Sequence, residues 1–256
     1  MKALITGASE GMGRAMAKRL SQMGYHIIAA ARNEQKLEQL KTELGMRADI
    51  YAMDLSDTDN CYALYEKIKD EDIDIVINNA GFGVYGEFCE SDLEAELNMI
   101  DLNIKALHLI TKLFVRDFME KDRGYILNVA SLAAFMAGPM HAGYYASKAY
   151  VLRLTQAIYE ELRRRKSNVY IGTFCPGPVT TGFNKRAGAG FGKHGIDEET
   201  ACGYAIEKMF KRKLIIMPGA LLRTVRVVQK FLPEKLMLKL TYATQMKRTV
   251  KKQQEL

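Results

Sequence analysis

Tyr144 and Lys148 stand four residues apart in the run Tyr144-Tyr145-Ala146-Ser147-Lys148, thirteen residues after Ser131. On a helix, positions i and i+4 share a face. A phenol held beside an ammonium favours its ionised form. A free tyrosine titrates near pH ~10, so ionisation near neutrality takes about 3 units, on the order of 4 kcal/mol. One lysine plus a second cation covers that, so the spacing predicts a positively charged cofactor beside the tyrosine. Tyr145 is the local rival, because i and i+3 also meet. Taken alone, such a pair is ordinary surface decoration, and a serine after an apolar run is an ordinary turn residue.

The head of the chain offers the cofactor a site. Lys2 to Ile5 is a short apolar run, read as a strand. Thr6-Gly-Ala-Ser-Glu-Gly-Met-Gly13 follows, and Arg14 to Met23 has helical character. Strand, glycine-rich turn and helix in that order make a phosphate-binding crossover. Gly7 allows the tight turn, and Gly11 and Gly13 allow close backbone approach. Ser9, Glu10 and Met12 lie between them, at a helix N-terminus whose N–H groups and positive dipole end suit a pyrophosphate. The spacing departs from G-x-G-x-x-G, and a lone glycine cluster also fits an ordinary turn.

With these residues in place, the chain resembles the short-chain dehydrogenase/reductase family. The family's T-G-x-x-x-G-x-G stands at Thr6 to Gly13, its N-N-A-G at Asn78 to Gly81, and its Y-x-x-x-K at Tyr144 and Lys148. Its catalytic asparagine matches Asn103, its serine Ser131, and its P-G segment Pro176-Gly177. The motifs fall in family order over residues 1 to 217, and the last forty or so do not match the family's common ending. The resemblance implies that Asn103 anchors a water linking Lys148 to solvent. It implies that Asn79, Ala80 and Gly81 lie against the cofactor ribose, and that Pro176, Gly177, Val179 and Thr181 hold the nicotinamide amide. It implies an adenine contact at Asp54-Leu55, although Asp54 also reads as a cap for the helix that follows.

Cofactor choice is argued from the end of the second strand. A carboxylate there would accept the ribose 2′-hydroxyl of NAD and repel a 2′-phosphate. This chain has Ala30-Ala31-Arg32-Asn33, with Lys36 a turn later. A guanidinium grips a phosphate with two hydrogen bonds. Arg32 beside Ser9 therefore favours NADP; otherwise Arg32 is a solvated loop residue. The mechanism follows from charge. A carbonyl that takes a hydride develops negative charge on oxygen, and donors must meet it. Ser131 would donate one bond, Tyr144 would act as general acid or base, and Lys148 would lower the tyrosine pKa and hold the ribose hydroxyls.

These residues need a scaffold. Strand-like runs at Tyr25–Ala31, Asp49–Met53, Ile73–Ile77, Tyr125–Val129, Val169–Phe174 and Leu214–Met217 alternate with helical patterns at Glu34–Leu44, Asp57–Lys69 and Gly143–Arg165, and two more within Ser91–Met119. Repeated β-then-α units predict an α/β fold: a doubly wound, Rossmann-type parallel sheet of about seven strands in residues 1–217. Residues 218–256 form an added, basic helical tail. The glycine turn, Asn79, Ser131 and Pro176 all follow strands, so they converge on the carboxyl edge, where such sheets bind ligands. The 256 residues, 48% of them hydrophobic, suit one large domain. No 18-residue apolar run is present and Met1 leads straight into a strand, so a cytoplasmic protein is expected. The four cysteines, Cys61, Cys89, Cys175 and Cys202, show no metal-ligand spacing and read as reduced thiols. No metal is expected.

The substrate side is lined by Phe82 to Tyr85, Leu132 to Met136 and Met140, with Ala187 to Gly192 as a lid. Their apolar character points to a hydrophobic ketone or alcohol such as a steroid, an acyl chain or an aryl ketone. The tail, split by Pro233, carries many of the lysines and arginines behind the net charge of +7. It reads as helices packing on the substrate side or a second subunit, or as a peripheral membrane contact. Nucleic-acid binding is disfavoured, since no stacking aromatics interleave the charges. A homo-oligomer, with a dimer favoured, is expected. Two functions stay open: an NADP-dependent ketone reductase or alcohol dehydrogenase, and an NADP-binding regulatory protein without turnover.

Overall fold

The computed structural model describes residues 1–179, 195–219, 223–224, 226 and 231–254, with 247–254 described for the backbone only. Near-continuous apolar runs become strands, the central ones buried on both faces, as a parallel sheet demands, and the two edge strands only partly buried. These are β1 (Lys2–Thr6), β2 (His26–Ala31), β3 (Ala48–Ala52), β4 (Ile73–Asn78), β5 (Tyr125–Val129), β6 (Tyr170–Phe174) and β7 (Ile215–Ile216). Their order across the sheet is β3-β2-β1-β4-β5-β6-β7, and every pairing is parallel. The expected seven-stranded doubly wound sheet is therefore present.

Amphipathic helices cover the two faces. On one side α1 (Gly11–Gln22), α2 (Glu34–Leu44) and α7 (Glu198–Phe210) bury Met16, Leu20, Leu37, Leu40, Ile206 and Met209 against the sheet. On the other, α3 (Thr58–Ile68), α5 (Leu107–Lys121) and α6 (Ala142–Arg164) bury Leu64, Ile68, Phe114, Phe118 and Leu162. Asp57 caps α3 by accepting from Asp59 N. The two helical stretches expected within 91–119 are α4 (Leu93–Ile100) and α5, but no break separates them. A π-helical turn, Asp101–Ala106, joins them into one rod. Such turns add a residue to the rod and re-aim its side chains. Pro233 precedes α8 (Glu234–Gln254), as a residue fixed in φ can at a helix start. Most of the stretch proposed for an earlier tail helix lies outside the described residues. No described helix is long and apolar enough to cross a membrane.

The strand order reverses between β1 and β4, and loops diverging there leave a crevice. One threonine stitches the two strand ends together. Thr6 is 2% exposed, and its Oγ1 accepts from the backbone N–H groups of Asn79 and Ala80, each at 3.0 Å. Asn79 Nδ2 donates back to Thr6 O at 3.0 Å and Gly7 O at 3.2 Å. A second buried network, Asn78–Thr111–Asn128–Thr155, ties β4 and β5 to α5 and α6. Thr6→Val keeps the shape and removes the Oγ1 acceptor of both N–H groups, of which only that of Asn79 keeps a second acceptor, Ile77 O at 3.1 Å. It is expected to lower stability by about 1–3 kcal/mol, read as a shifted urea midpoint at unchanged m-value.

Candidate active site

The carboxyl edge of the sheet opens into a cleft of about 830 Å³. The glycine turn after β1 forms one end. Gly7 and Gly11 take φ of +67° and +58°, values that L side chains adopt rarely. Gly13 is the tightest point: a Cβ there would stand 2.2 Å from Gly7 O and 2.5 Å from Asn79 Nδ2. The close approach expected of Gly13 is thus to the chain's own turn, and Gly13 does not line the cleft. Gly7, Ser9, Glu10, Gly11 and Met12 do. Glu10, at the N-cap of α1, makes no side-chain cap bond to the first-turn amides.

Arg32, Asn33 and Lys36 border the same end beyond β2. Asn33 caps α2 by accepting from Lys36 N at 2.8 Å. Arg32 stands 3.6 Å from the Asp54 carboxylate, and Lys36 pairs with Glu10. The pair at Arg32 is exposed on both sides, and such pairs hold their partners weakly. Burial opposes the Asp54 charge, yet two bonds from Ser56 and the Arg32 guanidinium hold its carboxyl below the usual range. Asp54 is no helix cap, since Asp57 fills that role. Leu55, Asn79, Ala80, Gly81, Pro176, Gly177 and Val179 complete this half of the cleft. Thr181 and the expected lid at Ala187–Gly192 lie outside the described residues.

Ser131, Tyr144 and Lys148 meet at the middle of the cleft. Ser131 follows β5 and caps a short 3-10 turn, Leu132–Phe135, by accepting from Ala133 N at 3.2 Å. Tyr144 and Lys148 project from the first turns of α6. Gly83 lies against the Tyr144 ring, 3.1 Å from where its Cβ would be. Lys148 Nζ donates to Val129 O at 3.1 Å and sits 5.8 Å from the centre of the Tyr144 ring. The expected acidified phenol is not a property of the protein alone. Burial pushes the Tyr144 hydroxyl up to about 12, although a bond with Ser131 pulls the other way. Burial pulls the Lys148 ammonium down to about 8. Both shifts have one cause: a dry cleft disfavours whichever form is charged.

Asn103 lies on the π turn, fully buried behind the cleft. Its Nδ2 donates to Phe82 O at 2.9 Å and Ser147 Oγ at 3.1 Å, while its Oδ1 accepts from Phe82 N at 3.1 Å. It thereby clamps the loop after β4 to α6. A Cβ on Gly81 would stand 2.7 Å from Asn103 Oδ1 and 3.2 Å from Lys148 Nζ, so both groups flank the same backbone position.

The far end of the cleft holds what spacing could not reveal. Met237, Leu240, Thr241, Thr244 and Gln245 of α8 line it, with Met136, His141 and Tyr145. Gln245, 1% exposed, donates to Tyr145 Oη at 2.8 Å, and Tyr85 Oη donates to Gln245 O at 3.4 Å. Of the readings of the tail, packing on the substrate side is the one this contact realises. No local motif marked Gln245, which shares its helix face with the polar Thr241 and Thr244.

A family model described as short chain dehydrogenase matches residues 1–190. An uncharacterized oxidoreductase of Staphylococcus epidermidis is 33% identical over 193 residues, covering 75% of this chain and 82% of that protein. A short-chain dehydrogenase of Sphingobium yanoikuyae, solved in complex with NADPH, superimposes with a TM-score of 0.80 at 27% identity, over 86% of this chain and 88% of that one. A short-chain dehydrogenase/reductase of Burkholderia phymatum, solved in complex with NAD, shares the fold with a TM-score of 0.81 at 23% identity, over 88% and 91%. The chain belongs to the short-chain dehydrogenase/reductase family. It is an oxidoreductase of that family, acting on CH–OH groups.

The lysine shift carries a stability consequence. Between pH about 8 and 10.5 the unfolded ammonium keeps a proton that the folded amine has lost. Stability rises with pH where the unfolded state binds more protons. The penalty for burying Lys148 is therefore full below pH 8 and vanishes as pH climbs to 10.5. Lys148→Met should be more stable than wild type at pH 7, by at most on the order of 3 kcal/mol, and the gap should narrow steadily from pH about 8 and close only above 10.5. Urea unfolding of both proteins across that range measures it.

Proposed function

We propose that the chain is an NADP(H)-dependent oxidoreductase that interconverts a hydrophobic ketone and its secondary alcohol. One observation carries this reading: Ser131, Tyr144 and Lys148 meet in the same cleft whose other end is the glycine turn. The residues present fit a dinucleotide. Positive-φ glycines, an uncapped helix start and the asparagine turn at Asn79 to Gly81 form a cradle that side chains would fill. Ser9, Gly11 and Met12 would hold the pyrophosphate, Asp54 and Leu55 the adenine, Asn79 to Gly81 the ribose, and Pro176, Gly177, Val179 and Thr181 the nicotinamide amide. The bound nicotinamide supplies or accepts the hydride.

The protein's own residues handle the proton and the oxygen. Ser131 donates a hydrogen bond to the substrate oxygen, where negative charge collects. Tyr144, protonated through the neutral range, gives its phenolic proton to that oxygen in reduction and takes it back in oxidation. Lys148 keeps its amine at the same wall and binds ribose hydroxyls. Asn103 acts through others, since it fixes the Phe82 backbone and Ser147 on α6.

NADP over NAD rests on this chain's own residues, because the fold is found with either coenzyme. Arg32 stands where a carboxylate would select the free hydroxyl, and Lys36 lies nearby. A dianionic phosphate outcompetes the single, exposed Asp54 carboxylate for Arg32. The hydrophobic substrate is supported by Phe82, Leu132, Met136, Met237 and Leu240 along the rest of the cleft.

Tyr144→Phe should lower kcat by about 10²–10⁴-fold while NADPH still binds, as followed by coenzyme fluorescence. Tyr145→Phe should lose far less; the reverse ranking would transfer the acid/base role to Tyr145. Arg32→Ala should raise KM for NADPH by about 10–100-fold, the worth of one charge-assisted contact, and leave KM for NADH nearly constant. Equal losses with both coenzymes would refute the phosphate contact.

A further inference from the structure

A second hollow, of about 660 Å³, adjoins the substrate end of the cleft. Met136, Tyr145 and Met237 line both spaces, so side chains that face each of them form the partition. Tyr145 is its fixed post. Gln245 donates to its hydroxyl, and its ring lies on Gly138, where an added Cβ would stand 2.4 Å from the ring. The other two are methionines, whose unbranched thioethers move between rotamers at little cost.

Beyond the partition the hollow is apolar and shallow-walled. Ala142, Ala146 and Ala149 line it from α6. Their spacing of four and three residues puts them on one helix face, and none reaches past Cβ. Leu232 and Leu238 line it from the side of α8, and Glu234 is the only charged residue among the described lining residues. A sugar would find few hydrogen-bonding side chains here, and a phosphate or carboxylate would meet Glu234. A fused ring system would have to force Met136, Met237 and Tyr145 apart together, whereas an alkyl chain passes beside two flexible thioethers. Leu238 is 37% exposed, so the hollow opens outward along an apolar border.

We propose that this hollow is a tail site, which takes the unbranched hydrocarbon chain of a substrate whose reacting carbon lies beside Tyr144. The inference rests on the oxidoreductase reading and names its substrate class: long-chain aliphatic ketones or alcohols, including acyl-type chains, in preference to steroids. The two spaces adjoin across three shared side chains, two of them flexible thioethers, and this selects the substrate's own tail as the occupant.

Binding of straight-chain 2-ketones of increasing length, measured by calorimetry with the full chain, tests it without requiring turnover. Wild type should bind about fourfold more tightly with each added methylene, the affinity equivalent of burying one such group. That gain should continue past the length that fills the main cleft. Ala149→Leu occupies the hollow from an existing helix with a strong helix former, so its gain should stop at a shorter chain. Ala142→Leu, at the other end of the alanine face, should stop it likewise. Identical length profiles in wild type and both variants would overturn the tail site, as would a wild-type affinity that does not rise with length. Turnover of NADPH with the shortest ketone reports on the parent reading separately: its loss with an intact length profile sinks the chemistry and leaves the tail site standing.

Discussion

Desolvation at the middle of the cleft sets the terms for everything around it. Tyr144 and Lys148 share a space that penalises charge, and it drives them in opposite directions toward the same neutral state. The tyrosine therefore holds its proton firmly and the lysine gives its proton up easily. A phenol in this condition stays protonated and is a weaker acid than a free tyrosine until its ionised form gains support. Two effects favour its ionised form: the bond to Ser131 already present, and any positive charge brought alongside by a ligand. Geometry that keeps Lys148 Nζ on the Val129 carbonyl holds the amine close without spending it on a direct bond to the tyrosine.

A dry site of this kind needs rigid walls, because polar backbone cannot be buried unsatisfied. The sheet provides them. Residues that follow β1, β4, β5 and β6 reach the cleft from adjacent strand ends. Thr6 and Asn79 answer the loose N–H and C=O groups where the strand order reverses. The π turn does the same service one layer out. By adding a residue to the rod of α4 and α5, it aims Asn103 at the Phe82 backbone and at Ser147 together. Asn103 flanks Gly81 together with Lys148, so the same side chain serves both fold stability and the setting of the site.

This coupling explains what could be read from the sequence. The glycine turn and the Tyr144–Lys148 pair were legible because their meaning is local. Positive φ at Gly7 and Gly11 and one helix face for positions four apart follow from short-range geometry. Strand alternation sufficed for the sheet, with ends shifted by a residue or two. The sign of the Tyr144 shift was not legible, because spacing reports a neighbouring charge and says nothing of how much water both groups lose. Nor was the role of Gln245, which meets Tyr145 from 100 positions away. The continuous rod through 101–106 also escaped, since hydrophobic periodicity does not distinguish a helix break from one inserted residue.

On the proposed function, chemistry and selectivity reside in different parts of the chain. Ser131, Tyr144, Lys148 and the glycine turn lie within residues 1–190, the span the family model matches. The far end of the cleft is finished by α8, which lies wholly beyond it. Binding energy from parts of a substrate remote from the reacting carbon can be used to hold that carbon in place. A wall formed by α8 is the means of collecting that energy, and the buried Gln245–Tyr145 bond ties the wall to the helix that carries Tyr144. On the proposed function, changes along α8 would alter which carbonyl is held at Tyr144 while the proton chemistry at its base stays the same.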